Sequence, residues 1–187
     1  MFGFREVSVD DAEMLLAWRQ SPRVTEPMNS DIDNTLGQQR QWIVRCYQKP
    51  SYYHWVIEYK NAPIGLICLD DYDSEAKACS WGFYIGDPQF AGLGGFVPPF
   101  FYNFLFQDLG LASINARVWV ENTAVIRLHR LHGYRLRPTQ DNVIRKNGQD
   151  RLLIAMELRQ ETYDFDRFGR FQADFPTSRW AARPATW

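Results

Sequence analysis

Residues 83–95 read Phe83-Tyr84-Ile85-Gly86-Asp87-Pro88-Gln89-Phe90-Ala91-Gly92-Leu93-Gly94-Gly95, a strand-like stretch running into a glycine-rich turn, with an apolar run long enough for a helix beyond it. These residue types can bind an anion. Glycines let the backbone turn and approach a ligand closely, and a helix start adds unpaired N–H groups and the positive end of its dipole, so phosphate is the expected guest. Two common phosphate loops do not match: no Gly-Lys-Ser/Thr ends a P-loop, and no Gly-x-Gly-x-x-Gly marks a dinucleotide fold. What remains is Gln89-x-x-Gly92-x-Gly94, which an ordinary strand-to-helix turn explains equally well until its neighbours are considered. A titratable candidate lies further on. His129 stands in Glu121-Asn122-x-x-Val125-Ile126-x-Leu128-His129-x-x-x-Gly133-Tyr134, and an imidazole with its ordinary pKa of about 6.5 can move protons near neutral pH. His54, in a strand-like run, and His132, at a helix end, read as structural.

The elements that must position these residues follow from periodicity. Residues 2–7 read as a strand, and Ser8-Val9-Asp10-Asp11 gives a capping-box start to a helix through Trp18 or Arg19 that Pro22 ends. Residues 28–34 are turn-prone. Residues 35–47 form a second helix burying Leu36, Ile43, Cys46 and Tyr47. Residues 53–59 and 64–69 make a hairpin around Asn61-Ala62-Pro63, 70–77 a turn, and 78–85 the fourth strand. Residues 96–109 are helix-like, with Phe96, Phe100 and Phe104 in one row. Residues 113–121 alternate, placing Ile114, Ala116, Val118 and Val120 on one face and Asn115, Arg117, Trp119 and Glu121 on the other. Asn122 caps a helix over 123–132, Gly133 terminates it, 134–137 begins a strand, 141–150 is polar, and 151–158 is the last strand.

Composition narrows the partners. The 187 residues suit one domain of ordinary size. The net charge of -1, from 21 basic and 22 acidic residues, gives no electrostatic reason to expect nucleic acid or an anionic membrane. Cys46, Cys68 and Cys79 lack metal-ligand spacing and sit in apolar segments, so free thiols in a reducing, cytoplasmic setting are expected, with no metal. The opening Met1-Phe2-Gly3-Phe4-Arg5-Glu6 resembles no signal peptide, and no apolar run reaches the ~18 residues of a membrane span. Aromatics reach 16%, with 7 Trp, 9 Tyr and 13 Phe, enough to fill a core and to line a site for a flat or sugar-like ligand.

The order β-α-α-β-β-β-α-β-α-β-β, with Gln89-x-x-Gly92-x-Gly94 after the fourth strand and Asn122-x-x-Val125-x-x-Leu128-His129-x-x-x-Gly133-Tyr134 on the later helix, resembles the GNAT superfamily of N-acetyltransferases. The resemblance covers residues 4–159. It implies an α/β (α+β) fold with a mixed, mostly antiparallel sheet and helices on both faces, and acetyl-coenzyme A as cosubstrate. It implies that N–H groups of Phe90, Ala91, Gly92, Leu93, Gly94 and Gly95, with Gln89, cradle the pyrophosphate. It further implies that Phe83 and Ile85 offer backbone groups to the pantetheine arm, that Asn122 caps its helix, contacts that arm or does both, and that His129 stands where relatives place a tyrosine that protonates the departing thiolate. Acetyl transfer also needs the ammonium deprotonated and an oxyanion stabilised. The fourth strand carries no carboxylate for the first of these tasks; Glu58, Asp70 and Asp71 are candidates by type only, and ordered water is an equal alternative.

For the acceptor, Trp18-Arg19, Pro22-Arg23-Val24, Met28, Trp42, Trp81-Gly82-Phe83-Tyr84 and Phe106-x-x-Leu109-Gly110-Leu111 resemble the acetyltransferases of the pseudaminic acid pathway, which act on a UDP-linked 4-amino sugar. On that likeness Trp18, Arg19, Met28, Trp81 and Tyr84 are the substrate-binding candidates. Arg19 or Arg23 could meet phosphate or a uracil carbonyl, although a structural role suits Arg23 as well. Two alternatives stand beside this reading: an acetyltransferase of protein N-termini of the ribosomal-protein type, and a protein that holds acyl-coenzyme A without catalysis. Assembly as a homo-oligomer is open. Residues 161–187 lie beyond the fold and are expected as an irregular extension packed on the domain, in preference to a partner-binding arm.

Overall fold

The computed structural model describes residues 1–28, 32–146 and 148–181. The sheet is 8-stranded, ordered β1-β2-β3-β4-β5-β8-β6, with β7 also paired to β8. Its strands are β1 (Phe2–Glu6), β2 (Tyr53–Tyr59), β3 (Ala62–Asp73), β4 (Ala78–Ile85), β5 (Ser113–Trp119), β6 (Arg135–Leu136), β7 (Asn142–Lys146) and β8 (Gln149–Arg159). Every pairing is antiparallel except β4 with β5. That parallel ladder holds Ala78, Cys79 and Ser80 against Ser113, Ile114 and Asn115. Beyond it the strands part, so Trp81 to Ile85 face a gap in the middle of the sheet.

Helices cover both faces. Helices α1 (Ala12–Gln20), α2 (Pro22–Thr25) and α3 (Leu36–Tyr47) lie between β1 and β2 in sequence, and Leu15 and Ile43 pack with Val56 and Leu66 on one face. On the other, Trp55, Ile57 and Ile67 meet α4 (Pro98–Asn103), which continues as a π-helical turn, Phe104–Asp108. Helix α5 (Thr123–Leu131) follows β5, and a short α6 (Phe165–Phe168) follows β8. Local chemistry explains the ends. Lys60 and Asn61 take φ of 51° and 65°, the left-handed pair that closes a two-residue hairpin. The Thr35 hydroxyl accepts from Gln38 N while Gln38 Oε1 accepts from Thr35 N, a capping box for α3. Asn122 Oδ1 accepts from Val125 N at 3.3 Å, and Gly133 leaves α5 at φ 100°.

Four expectations are corrected. The polar stretch 141–150 contains β7, because its pairing with β8 (Val143 opposite Leu152, Ile144 opposite Arg151) supplies what the apolar pattern lacks. Strand β3 runs on to Asp73 rather than turning at Asp70, tied by Tyr72 N to Ser51 O at 3.0 Å. Phe96 lies outside the helix and is 55% exposed, because α4 starts at Pro98, where first-turn N–H groups have no acceptor and proline costs nothing. At the end of β5 the alternation breaks: Trp119 is 2% exposed and Val120 41%. The Trp119 indole lies beneath the Arg151 guanidinium, 4.3 Å from ring centroid to cation, and donates to Pro27 O at 3.1 Å.

The segment after β8 packs on the domain through Phe168, Phe175 and Trp180, all members of the larger core, and Trp55 Nε1 donates to Pro176 O at 2.7 Å. Residues 182–187 of the expected extension, and 29–31 of the expected turn, lie outside the described residues.

Candidate active site

The gap beside β4 is lined by backbone. Gly86 N donates to Ile64 O at 2.7 Å, so in the antiparallel β3–β4 ladder the bonded pairs fall at Leu66 with Tyr84 and Cys68 with Gly82. By alternation Trp81, Phe83 and Ile85 direct their N–H and C=O groups away from β3, into a cleft of about 390 Å³. Trp81, Phe83, Ala91, Asn122, Val125 and His129 are among its lining. Ile85 is only partly available. Arg23 donates from Nη2 to Ile85 O at 2.9 Å and to Gly86 O at 2.5 Å, which settles that arginine in a structural contact at the cleft's mouth.

The glycine loop is not a tight turn. Pro88–Phe96 winds as a 3₁₀ helix opened by Asp87, whose Oδ1 accepts from Gln89 N at 2.9 Å, and Gly92, Gly94 and Gly95 all keep negative φ. Their use is bare backbone. A Cβ added at Gly92 or Gly95 would meet nothing within 4 Å, whereas one at Gly94 would come 3.5 Å from Ile85 Cγ1. Phe90 packs toward Tyr59 with centroids 6.0 Å apart, Leu93 packs on the core, and Gln89 is exposed. Asn122 both caps α5 and lines the cleft.

His129 lines the same cleft but not as an ordinary imidazole. Its ring is 4% exposed, stacks on Tyr134 at 4.6 Å, and has an unpartnered buried Nδ1. Burial, then the charge of neighbouring His132, lowers its pKa to about 4. The expected value near 6.5 is thereby corrected: at neutral pH His129 is uncharged.

A second cavity of about 330 Å³ lies on the α1–α3 face of β4. Arg19, Gln39, Trp42, Tyr52, Cys68 and Tyr84 bring most of its polar and aromatic atoms. Gly82 leaves the space open, since a Cβ there would stand 3.8 Å from Cys68 Sγ, an ordinary contact. Burial, then the Asp70 charge, pushes the Cys68 thiol up to about 12, so it stays protonated. Met28, Gly82, Phe83 and Tyr84 line both cavities, which therefore meet across β4. Among the described residues no Asp or Glu lines either one. Glu58 is held by Arg5 at 2.9 Å, and Asp70 and Asp71 are exposed at the far end of β3, so none of the carboxylates considered by type reaches the site.

Of the acceptor candidates, Arg19, Met28 and Tyr84 come together here. Trp18 and Trp81 do not. The Trp18 ring lies so close to Gly86 that a Cβ there would be 2.1 Å from it, and it lines neither cavity. Trp81 turns to the opposite face, stacks on Phe83 at 5.5 Å and donates from Nε1 to Tyr134 Oη at 2.8 Å. Gln39 and Tyr52 were not singled out from the sequence. A signal existed for Gln39, a polar side chain 4% exposed in the apolar stripe that also carries Leu36 and Ile43.

Residues 2–135 match the acetyltransferase (GNAT) domain family, and the chain belongs to it. It is an N-acetyltransferase that uses acetyl-coenzyme A. Among similar proteins, the acetyltransferase PseH of Campylobacter jejuni subsp. jejuni serotype O:23/36 (strain 81-176) is 22% identical over 130 residues, 68% of this chain and 78% of that protein. Among solved structures, spermidine N-acetyltransferase from Vibrio cholerae in complex with CoA and spermine superposes with a TM-score of 0.79 at 17% identity, covering 87% of this chain and 97% of that one. The aminoglycoside acetyltransferase AAC(6')-Ib in complex with coenzyme A gives 0.69 at 15%, covering 89% and 98%. No helix among the described residues is long and apolar enough to cross a membrane.

Proposed function

We propose that the chain transfers the acetyl group of acetyl-coenzyme A to the amine of a nucleotide-linked amino sugar of the UDP-4-amino-4,6-dideoxy type. The observation that carries this reading is the second cavity: Arg19, Trp42, Tyr52 and Tyr84 line it, and among the described residues no carboxylate does. A polyamine brings several positive charges that such a lining leaves unpaired, whereas a nucleotide sugar brings phosphate for a guanidinium and flat surfaces for aromatic rings. The resemblance of Trp18-Arg19 and Trp81-Gly82-Phe83-Tyr84 to the pseudaminic acid pathway acetyltransferases supports the same reading.

The residues present fit the donor. The cleft beside Trp81, Phe83 and Ile85 exposes strand backbone, and the loop after it leaves Gly92 and Gly95 exposed with no side chain in front. In this reading Phe83 N–H and C=O pair with the pantetheine amides as an added strand would, and N–H groups of residues 90–95 meet the pyrophosphate. Acetyl-coenzyme A supplies the activated acyl group. Arg19 and Tyr84 orient the acceptor so that its amine comes through the opening at Gly82, where the cavities meet. With no carboxylate in reach among the described residues, the ammonium loses its proton to water, which suits an amino-sugar amine of modest basicity. His129, uncharged, donates an N–H hydrogen bond toward the departing sulfur.

Incubation with acetyl-coenzyme A and a panel of UDP-linked amino sugars, polyamines and N-terminal peptides, read as thiol release, tests this reading. Turnover of the amino sugars is expected. Efficient turnover of peptides or polyamines with none on any amino sugar overturns it, and binding of acetyl-coenzyme A with no turnover across the panel points to a holding protein.

A further inference from the structure

The gap in the sheet is bridged by one short segment, and both of its ends are tied. At one end Arg23 of α2 binds the last carbonyls of β4, Ile85 O and Gly86 O. At the other, the ammonium of Lys146, 6% exposed at the end of β7, donates to Thr25 O at 2.8 Å, Glu26 O at 3.1 Å and Met28 O at 2.5 Å. The carbonyl left between them, Pro27 O, accepts from the Trp119 indole at 3.1 Å. Four consecutive carbonyls are thus engaged by two side chains of the β5–β8 half of the sheet, and the three N–H donors of a lysine suit three convergent acceptors. Thr25 O also accepts from Met28 N at 3.1 Å, so these donors add to a turn that the chain already closes. The held segment ends in Met28, which lines both cavities.

We propose that Lys146 is a positioning residue for acetyl transfer: by holding residues 25–28 across the gap it fixes Met28 in the wall where the acceptor cavity meets the donor cleft. The proposal rests on the assignment of donor and acceptor sites made above. It gives β7 and the buried Trp119, neither of which is paired to β4 in the sheet, a part in the geometry of the reaction.

Lys146→Met keeps the length and removes the donors; Lys146→Arg keeps donors. In Lys146→Met, amide hydrogen exchange of residues 24–28 is expected to accelerate about tenfold or more while β2 and β3 keep wild-type protection. The acceptor KM is expected to rise about tenfold, with the acetyl-coenzyme A KM within about twofold of wild type, and Lys146→Arg should restore much of the difference. Trp119→Phe, which removes one N–H and keeps the ring, should give a smaller shift in the same direction. Unchanged exchange at 24–28 overturns the proposal, as does a parallel rise of both KM values. If the panel shows peptides or polyamines as acceptors, the substrate reading fails by itself, and the KM split measured with the accepted amine still decides Lys146. Should no amine be accepted, unequal loss of exchange protection between 24–28 and the strands decides it.

Discussion

The two cavities on either side of β4 offer different surfaces to a ligand. The proposed donor cleft presents main chain: the outward-facing groups of Trp81, Phe83 and Ile85, and a loop where a Cβ added at Gly92 would meet nothing within 4 Å. The proposed acceptor cavity presents side chains drawn from α1, α3, β3 and β4 and from Tyr52 just before β2, with Arg19 as its cation and Gly82 as its open floor. Backbone recognition suits a cosubstrate shared across a family, since it depends on strand geometry and on the absence of side chains. Side-chain recognition can change from one acceptor to another while the sheet stays as it is.

The largest effect should come from filling the bare backbone. Gly92→Val places a side chain in open space, so the fold should survive, yet it would stand where pyrophosphate is expected. Loss of about two charge-assisted hydrogen bonds corresponds to roughly 100-fold weaker acetyl-coenzyme A binding. Calorimetry on the folded variant checks this, and unchanged affinity would remove the loop from the donor site.

A smaller effect is expected at His129. Its pKa of about 4 keeps it neutral above pH 5, so it can offer a hydrogen bond but not an imidazolium proton. His129→Phe should lower kcat about tenfold, short of the 10²–10⁴-fold typical of positioned acid catalysis, and His129→Tyr should recover much of that loss. The wild-type kcat profile should show no step near pH 6.5 that the Phe variant abolishes. Such a step, or a Phe variant with full kcat while chemistry is rate-limiting, would refute the role.

The contrast between the cavities also explains what could be read from the chain alone. The elements around the proposed donor cleft were legible because their determinants are local: an apolar strand before spaced glycines, an Asn122 cap, a Gly133 terminator. The acceptor side was legible only in part. Tyr52 and Cys68 share a wall because β2 pairs with β3 in a register that sets His54 opposite Cys68, and Trp18 was drawn away from the site by the bare Cα of Gly86. Strand β7 was hidden because its residues are polar and its strand is imposed by β8. The neutral state of His129 depends on burial beside Tyr134 and His132, which no local pattern encodes.

Arg19→Ala provides the most direct measurement of the division between donor backbone and acceptor side chains, with initial rates taken while each substrate is varied. Loss of a charged hydrogen bond to the acceptor predicts a KM for that substrate raised about tenfold or more, with the acetyl-coenzyme A KM unchanged. A variant that instead raises the acetyl-coenzyme A KM and leaves the acceptor KM as it was would place Arg19 on the donor, and would contradict the assignment of the two cavities.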